Sequence, residues 1–261
     1  MSDAVLLTGA TGFVGMEVLA RYLERSDRQI ITLIRASDDA AARARLGAVL
    51  QNLYGRGADR HARRVRAVAA ELTEPGLGIS RERRERLASE VTTVIHSAAS
   101  VSFALPLAEA RAINYDGTRR MLEFAELAQA SGGGLRRYGH VSTAYVAGTH
   151  EGRFAETDLD TGQRFHNSYE QSKFEAEQLV RTHAELPYTI MRPSIVVGDQ
   201  RSGWTSAFNV LYWPLRAFSR GLFEKIPAVE SALVDVVSID YVADAIHELC
   251  EGVGGIDPTG E

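Results

Sequence analysis

The sequence predicts an α/β fold, a doubly wound parallel sheet with helices on both faces. Three observations carry that prediction. Short apolar runs alternate with amphipathic helical stretches along the chain, the pattern of βα units joined by right-handed crossovers. The first apolar run, Ala4 to Thr8, leads straight into a glycine-rich turn (GATGFVG, Gly9 to Gly15), and a helix follows. At 261 residues the chain suits one large α/β domain, or one with a small appendage.

Taken in order, the first helix reads from Gly12 to Glu24, with Val14, Val18, Leu19, Tyr22 and Leu23 as its apolar residues. Glycines between a strand and a helix let the backbone turn tightly and approach a pyrophosphate, while the helix N-terminus offers free N–H donors. Thr8, Gly9, Thr11, Gly12, Phe13, Val14 and Gly15 are therefore candidate dinucleotide contacts. A tight turn without a ligand is the alternative.

The second strand, Gln29 to Ile34, ends at Arg35, 20 residues beyond Gly15. An acid at that distance favours NAD, through the adenine ribose. A guanidinium there suits the 2′-phosphate of NADP, by charge and by its bidentate geometry. Asp38 and Asp39 read as a solvated helix start, and the helix runs to Tyr54. A third strand, Val65 to Ala70, leads to a loop opening with Glu71 and Leu72, at the sheet edge where open α/β folds bind ligands. After a helix from Ser80 to Ser89 and a fourth strand, Val91 to Ile95, the small residues Ser97, Ala98 and Ala99 allow close passage of a cofactor.

Asn114 reads as the N-cap of a helix reaching Ala130. The fifth strand, Arg136 to Thr143, carries Thr143 at its C-terminal end, and the sixth is Leu186 to Met191. A seventh runs from Leu233 to Ser238, before a helix from Asp240 to Cys250. Residues 199–231 break the βα pattern, hold Trp204, Phe208, Tyr212, Trp213, Phe218 and Phe223, and are the candidate substrate wall. The expected organisation is a dinucleotide-binding domain (1–198 and 232–251), a substrate-side insertion (199–231) and a tail (252–261).

The helix around Tyr169 to Val180 is the predicted chemical centre. Residues four apart share a helix face, so Tyr169 and Lys173 can point into one site. A free tyrosine, with a pKa of about 10, is a poor proton donor–acceptor at neutral pH, and a nearby cation is expected to lower that value. The competing reading is an exposed Tyr and Lys on a solvated face. Of 29 basic residues only Lys173 and Lys225 are lysines, which hints that a compact ammonium is wanted at 173. Thr143 is placed to face Tyr169 across a cleft.

Composition narrows the class. A net charge of −5 and no basic stripe argue against a nucleic-acid binder. Cys250 is the only cysteine, so no internal disulfide forms, which fits a reducing, cytoplasmic setting. No apolar run approaches a membrane span, and the seven histidines lack metal-site spacing.

The motifs LLTGATGFVG, VIHSAASVSF, NYDGT, HVSTAYVAG, YEQSK and RPSIVVGD, in this order, resemble the extended short-chain dehydrogenase/reductases. The LIRA, ELTEPGLGI and STAYVAG runs look most like fatty acyl-CoA reductases and the thioester-reductase domains of carboxylic acid reductases and peptide synthetases. The resemblance implies a Rossmann-type sheet with a small, truncated substrate-binding subdomain. It also implies NADP(H) as cofactor and an acyl thioester of coenzyme A or of a carrier protein as substrate. By motif, Thr143 would hydrogen-bond the reacting carbonyl and Tyr169 would donate the proton. Lys173 would hold the nicotinamide ribose and depress the Tyr169 pKa, and Asn114 would help place a proton-relay water. Pro193, Ser194, Ile195 and Val196 would form the nicotinamide-proximal loop.

Two departures stand out. Glu71 stands where the family has an aspartate that contacts adenine. Family chains also continue past Gly255-IDPTGE, so cofactor binding is expected to be complete and thioester turnover weak. The rival readings are another extended reductase, a sugar-nucleotide epimerase or dehydratase, and a non-catalytic NADP sensor.

Overall fold

The computed structural model describes residues 3–131, 134–206, 212–222 and 234–252. The elements are β1 (Ala4–Thr8), α1 (Phe13–Arg25), β2 (Gln29–Ile34), α2 (Asp39–Tyr54), α3 (Ala58–Ala62) and β3 (Val65–Ala69). Next come α4 (Arg81–Glu90), β4 (Val91–His96), α5 (Leu107–Ala130), β5 (Arg137–Val141), α6 (Ser168–Arg181) and β6 (Tyr188–Met191). The chain continues with β7 (Ile195–Val197), α7 (Tyr212–Ser219), β8 (Val236–Ser238) and α8 (Ile239–Glu251). Six parallel strands form the sheet in the order β3-β2-β1-β4-β5-β6. The chain reverses its direction of build between β1 and β4, the switch point at which such sheets hold ligands beyond their C-terminal strand ends.

Side chains alternate across the sheet, as the strand period of two requires. Val5 and Leu7 of β1 face a core shared with α1, α2 and α8, through Leu19, Leu46 and Ile246. Ala4 and Leu6 face the opposite core, shared with α4, α5 and α6, through Leu87, Met121 and Val180. Burial on both faces explains why the strands read as continuous apolar runs. Each fully buried Leu or Ile here stabilises the fold by about 1.5–3 kcal/mol. Arg21 and Arg25 of α1 bond Asp244 of α8 at 2.6 and 2.8 Å, which seats the last helix beside the first.

Three expectations are corrected. The helix assigned to begin at Asn114 begins at Leu107, with Pro106 at its N-cap, so Asn114 lies two turns inside α5. The preceding residues LAEARAI are strong helix formers and simply extend it. The expected seventh strand does not join the main sheet. Its last residues form β8, which pairs in parallel with β7 as a separate two-stranded sheet. Thr143 lies two residues past β5, where its hydroxyl accepts from Tyr145 N at 3.2 Å and caps a short 3₁₀ turn.

Of the 199–231 segment, residues 207–211 and 223–231 lie outside the described residues, and with them Phe208 and Phe223. The tail expected at 252–261 lies outside them beyond Gly252. Among the described residues no helix is long and apolar enough to cross a membrane.

Candidate active site

The glycine turn is built by close backbone approach. Gly9 has φ +78°, and Gly12 N donates to Gly9 O at 2.8 Å. A Cβ on Gly15 would lie 2.2 Å from Gly9 O, and one on Gly9 would lie 2.8 Å from Ala98 N. Only glycine fits either position, and the turn therefore delivers the N-terminus of α1 to a narrow cradle.

Thr8, at the end of β1, ties this turn to the β4 side. Its hydroxyl accepts from Ser97 N at 3.2 Å and Ala98 N at 3.1 Å, so its own hydrogen goes to His96 Nδ1 at 2.8 Å. His96 then carries its proton on Nε2 and donates to Thr118 Oγ1 at 3.2 Å, and Thr118 donates to Asn114 O at 2.7 Å. A neutral ring agrees with burial, which pushes the His96 pKa down to about 3.

Two cavities flank the turn and share Gly9, Gly12, Ser97 and Ala99. One, about 420 Å³, is also lined by Thr8, Thr11, Arg35, Glu71, Leu72 and Ala98. The other, about 360 Å³, is also lined by Phe13, Val14, Gly15, Thr143, Tyr169, Lys173, Pro193, Ser194, Ile195 and Val196. Every candidate residue except Asn114 thus lines one of two adjacent hollows. Ser194 Oγ is shut off from solvent and has no hydrogen-bond partner among the described residues. A glycine cradle that any Cβ would fill fits a bound dinucleotide.

Helix α6 presents the catalytic candidates. Asn167 caps it, accepting from Glu170 N at 3.0 Å, while Glu170 reaches back to His166 N at 2.8 Å. Tyr169 and Lys173 are 9% and 3% exposed, which removes the solvated-face reading. Lys173 Nζ donates to Val141 O at 2.8 Å, the carbonyl ending β5. Burial brings the Lys173 pKa down to about 8, and the Glu177 carboxylate one turn on opposes the shift.

For Tyr169 the expected depression is not found. Burial raises its pKa, the Thr143 hydroxyl pulls it the other way, and Tyr145 and Glu170 add to the rise. Desolvation of the phenolate outweighs any help from a lysine whose own ammonium is bonded to a carbonyl.

Asn114 is 1% exposed, and both its amide hydrogens are committed, to Ser100 O at 3.1 Å and Ser172 Oγ at 2.9 Å. Its Oδ1 accepts from Ser100 N at 2.8 Å. The side chain pins the loop after β4 onto α6. That loop carries Phe103, whose ring lies 5.6 Å from Tyr169 and 6.2 Å from Tyr145, at the mouth of the second cavity.

Residues 7–246 match the family described as Male sterility protein, an NAD-binding family. The chain belongs to this family. Among curated relatives, an isonitrile lipopeptide synthase of Streptomyces coeruleorubidus is 34% identical over 96% of the chain and 17% of its own length. A putative fatty acyl-CoA reductase of Drosophila melanogaster is 27% identical over 92% of the chain and half of its own length. The terminal R domain of the myxalamid PKS-NRPS pathway superposes with a TM-score of 0.83 at 30% identity, over 99% of the chain and 63% of that domain. The chain therefore spans less than two thirds of each of these proteins, and relatives include both peptide-synthetase reductase domains and acyl-CoA reductases.

Several site residues escaped the sequence reading. Arg45, in the second turn of α2, lines the first cavity beside Arg35 and donates to Arg35 O and, at 3.5 Å, to Thr11 Oγ1. Asp38, by contrast, is spent as the cap of α2, accepting from Ala41 N, and Asp39 accepts from Ala69 N. Tyr145, Phe103 and Val101 join the second cavity. Arg45 is separated in sequence from Arg35 by nine residues and sits in an Arg- and Ala-rich helix, whereas Tyr145 lay in plain view inside STAYVAG.

Proposed function

We propose that this chain is an NADPH-dependent reductase of acyl thioesters, carried on coenzyme A or on the pantetheine arm of a carrier protein. The observation that carries the reading is the meeting of Thr143, Tyr169 and Lys173 in one buried cavity that opens onto the glycine turn. A silent NADP sensor has no need of a buried lysine and tyrosine at such cost. The thioester class is supported by the reductase relatives.

The two guanidinium groups of Arg35 and Arg45 support NADP over NAD, since both line the adenosine-side cavity and a 2′-phosphate accepts bidentate bonds. Glu71 belongs to the same cavity, with one carboxylate oxygen held by Thr73 N at 3.1 Å. Gly9, Gly12 and Gly15 would hold the pyrophosphate against the N-terminus of α1. Lys173 would grip the ribose, and Pro193, Ser194, Ile195 and Val196 would line the nicotinamide side. When bound, the cofactor supplies hydride to the thioester carbonyl.

Thr143 and Tyr169 would donate to the carbonyl oxygen as it gains charge, in the manner of an oxyanion hole. A phenol with a raised pKa remains protonated and serves as donor, and the neighbouring ammonium stabilises the phenolate left after proton transfer. The hemithioacetal so formed loses its thiol to give an aldehyde, and a second hydride would give the alcohol. Asn114 would act by holding the Phe103 loop against α6, which keeps water from the carbonyl. Offering a panel of acyl-CoA thioesters, acyl carrier-protein thioesters and sugar nucleotides while following NADPH absorbance tests the reading. Oxidation that depends on a thioester supports it; turnover of sugar nucleotides alone overturns it.

A further inference from the structure

Glu177 is a buried carboxylate that the site described so far does not use. It is fully buried, on α6 one turn beyond Lys173 and on the same face. Ser142 Oγ donates to its Oε2 at 2.7 Å, Arg192 forks onto it with Nη2 at 2.6 Å and Nε at 3.1 Å, and Arg181 Nη2 donates at 3.0 Å. An unpaired carboxylate in such a place would be far too costly, and these partners offset the loss of water.

The partners come from three walls of the cavity. Ser142 lies between Val141, which receives Lys173, and Thr143. Arg192 directly precedes Pro193, where the segment lining the nicotinamide side begins. Glu177 itself shares a helix with Tyr169 and Lys173. Arg192 is anchored further by Ala155 O at 3.2 Å, by Asp158 O at 2.5 Å and by the Phe154 ring at 5.2 Å.

Resting on the reading of Lys173 as a cofactor- and tyrosine-serving group, we infer that Glu177 is a positioning residue that keeps the Lys173 ammonium charged while its bonds to Ser142 and Arg192 hold the cavity walls together. Several groups on the packed elements bear on Lys173. His140 of β5 and His96 of β4 are buried and held neutral, with pKa values pushed down by burial first and then by Lys173 itself. Tyr169 is a neutral phenol. Glu177 is the anion that opposes the burial of Lys173, whose pKa stands at about 8. Removing that charge would leave the guanidinium groups of Arg181 and Arg192 unmatched beside a buried ammonium.

The chain has two lysines, Lys173 and Lys225, so the titration of Lys173 is directly readable. In protein labelled with ¹³C at lysine Cε, the Lys173 signal, assigned by its loss in Lys173→Met, should titrate near pH 8 in the wild type. In Glu177→Gln the midpoint should fall by about 1–3 units. Arg192→Gln removes a cation instead and should move it upward; loosening of the fold would rehydrate Lys173 and also raise its midpoint, so the fall in Glu177→Gln is the sign that loosening does not produce. The double variant should fall between the two. In NADPH oxidation assays, the alkaline limb for Glu177→Gln should move toward neutral by the same amount.

A Glu177→Gln midpoint equal to that of the wild type overturns the inference. Should that variant fail to fold, an unmoved midpoint in Arg192→Gln does the same. A chain that shows these midpoint shifts yet oxidises no NADPH with thioesters keeps this inference and loses the reductase reading, so the two fail separately.

Discussion

The two hollows on either side of the glycine turn are built on different principles. The side proposed for adenosine is shaped by backbone: a turn that excludes any Cβ at Gly9 and Gly15, small residues after β4, and exposed guanidinium groups at its rim. The side proposed to be catalytic is shaped by buried polar side chains, Thr143, Tyr169 and Lys173, with the Glu177–Arg192 pair behind them. The first is local in sequence and needs little beyond the right residue at the right spacing. The second depends on residues brought together from two strand ends and one helix.

The largest effect should come from the catalytic side. Tyr169→Phe removes the donor that serves the transition state and should lower kcat by about 10²- to 10⁴-fold while leaving NADPH affinity almost unchanged. Steady-state rates beside fluorescence titration of NADPH decide this, and a fall in affinity matching the fall in rate would place Tyr169 in cofactor binding instead.

On the backbone side, Gly15→Ala should act through shape alone. Its methyl would meet Gly9 O at 2.2 Å, so the turn must open. Cofactor affinity should fall by about 100-fold and stability by about 2–4 kcal/mol, visible in dinucleotide titration and in denaturant unfolding. An unchanged affinity would show that the turn does not cradle the pyrophosphate.

Arg35→Ala and Arg45→Ala sharpen the same side. Each should cost about 1.5–3 kcal/mol of NADPH binding, roughly 10- to 150-fold, and little of NADH binding. Because both groups are exposed, added salt should narrow the wild-type preference. Parallel titrations of both cofactors test this, and a preference unmoved by either substitution would mean that another residue reads the 2′-phosphate.

These contrasts also explain what the sequence disclosed. The order and type of the main-sheet strands, the glycine turn and the Tyr169–Lys173 pair were legible because each rests on a local period or spacing. The start of α5 was misread because Asn114 has the chemistry of a cap, although LAEARAI before it has no reason to stop a helix. The separate β7–β8 pair was missed because a three-residue strand carries no period. Glu177 looked like one more solvated glutamate of α6, and only Ser142, Arg181 and Arg192, up to 35 residues distant in sequence, mark it as buried. The sign of the Tyr169 pKa shift was misjudged for the same reason, since spacing reveals neighbours on a helix but not desolvation.

The smallest effect is on stability and runs against activity. Lys173 has a folded pKa of about 8, below its ordinary value, so the unfolded chain binds more protons between that pH and the ordinary lysine range. Stability attributable to this group therefore rises with pH across that window, and its cost is fully present below it. Lys173→Met should remove a cost of about 3 kcal/mol, offset in part by an orphaned Val141 carbonyl worth about 1–2 kcal/mol. A net gain of about 1 kcal/mol in denaturant unfolding at pH 7, shrinking as the pH rises above about 8, is expected beside a loss of turnover.

The central claim is hydride delivery to a thioester carbonyl by the Thr143–Tyr169–Lys173 cavity, and single-turnover chemistry tests it most directly. The chain in excess is mixed with NADPH and an acyl-pantetheine thioester, quenched, and assayed for oxidised cofactor, free thiol and carbonyl product. The account predicts that one thiol is released for each NADPH oxidised when aldehyde accumulates, or for every two when the alcohol does, and that Tyr169→Phe gives neither. Thiol release without NADPH oxidation, or equal yields from the Tyr169→Phe chain, would contradict it.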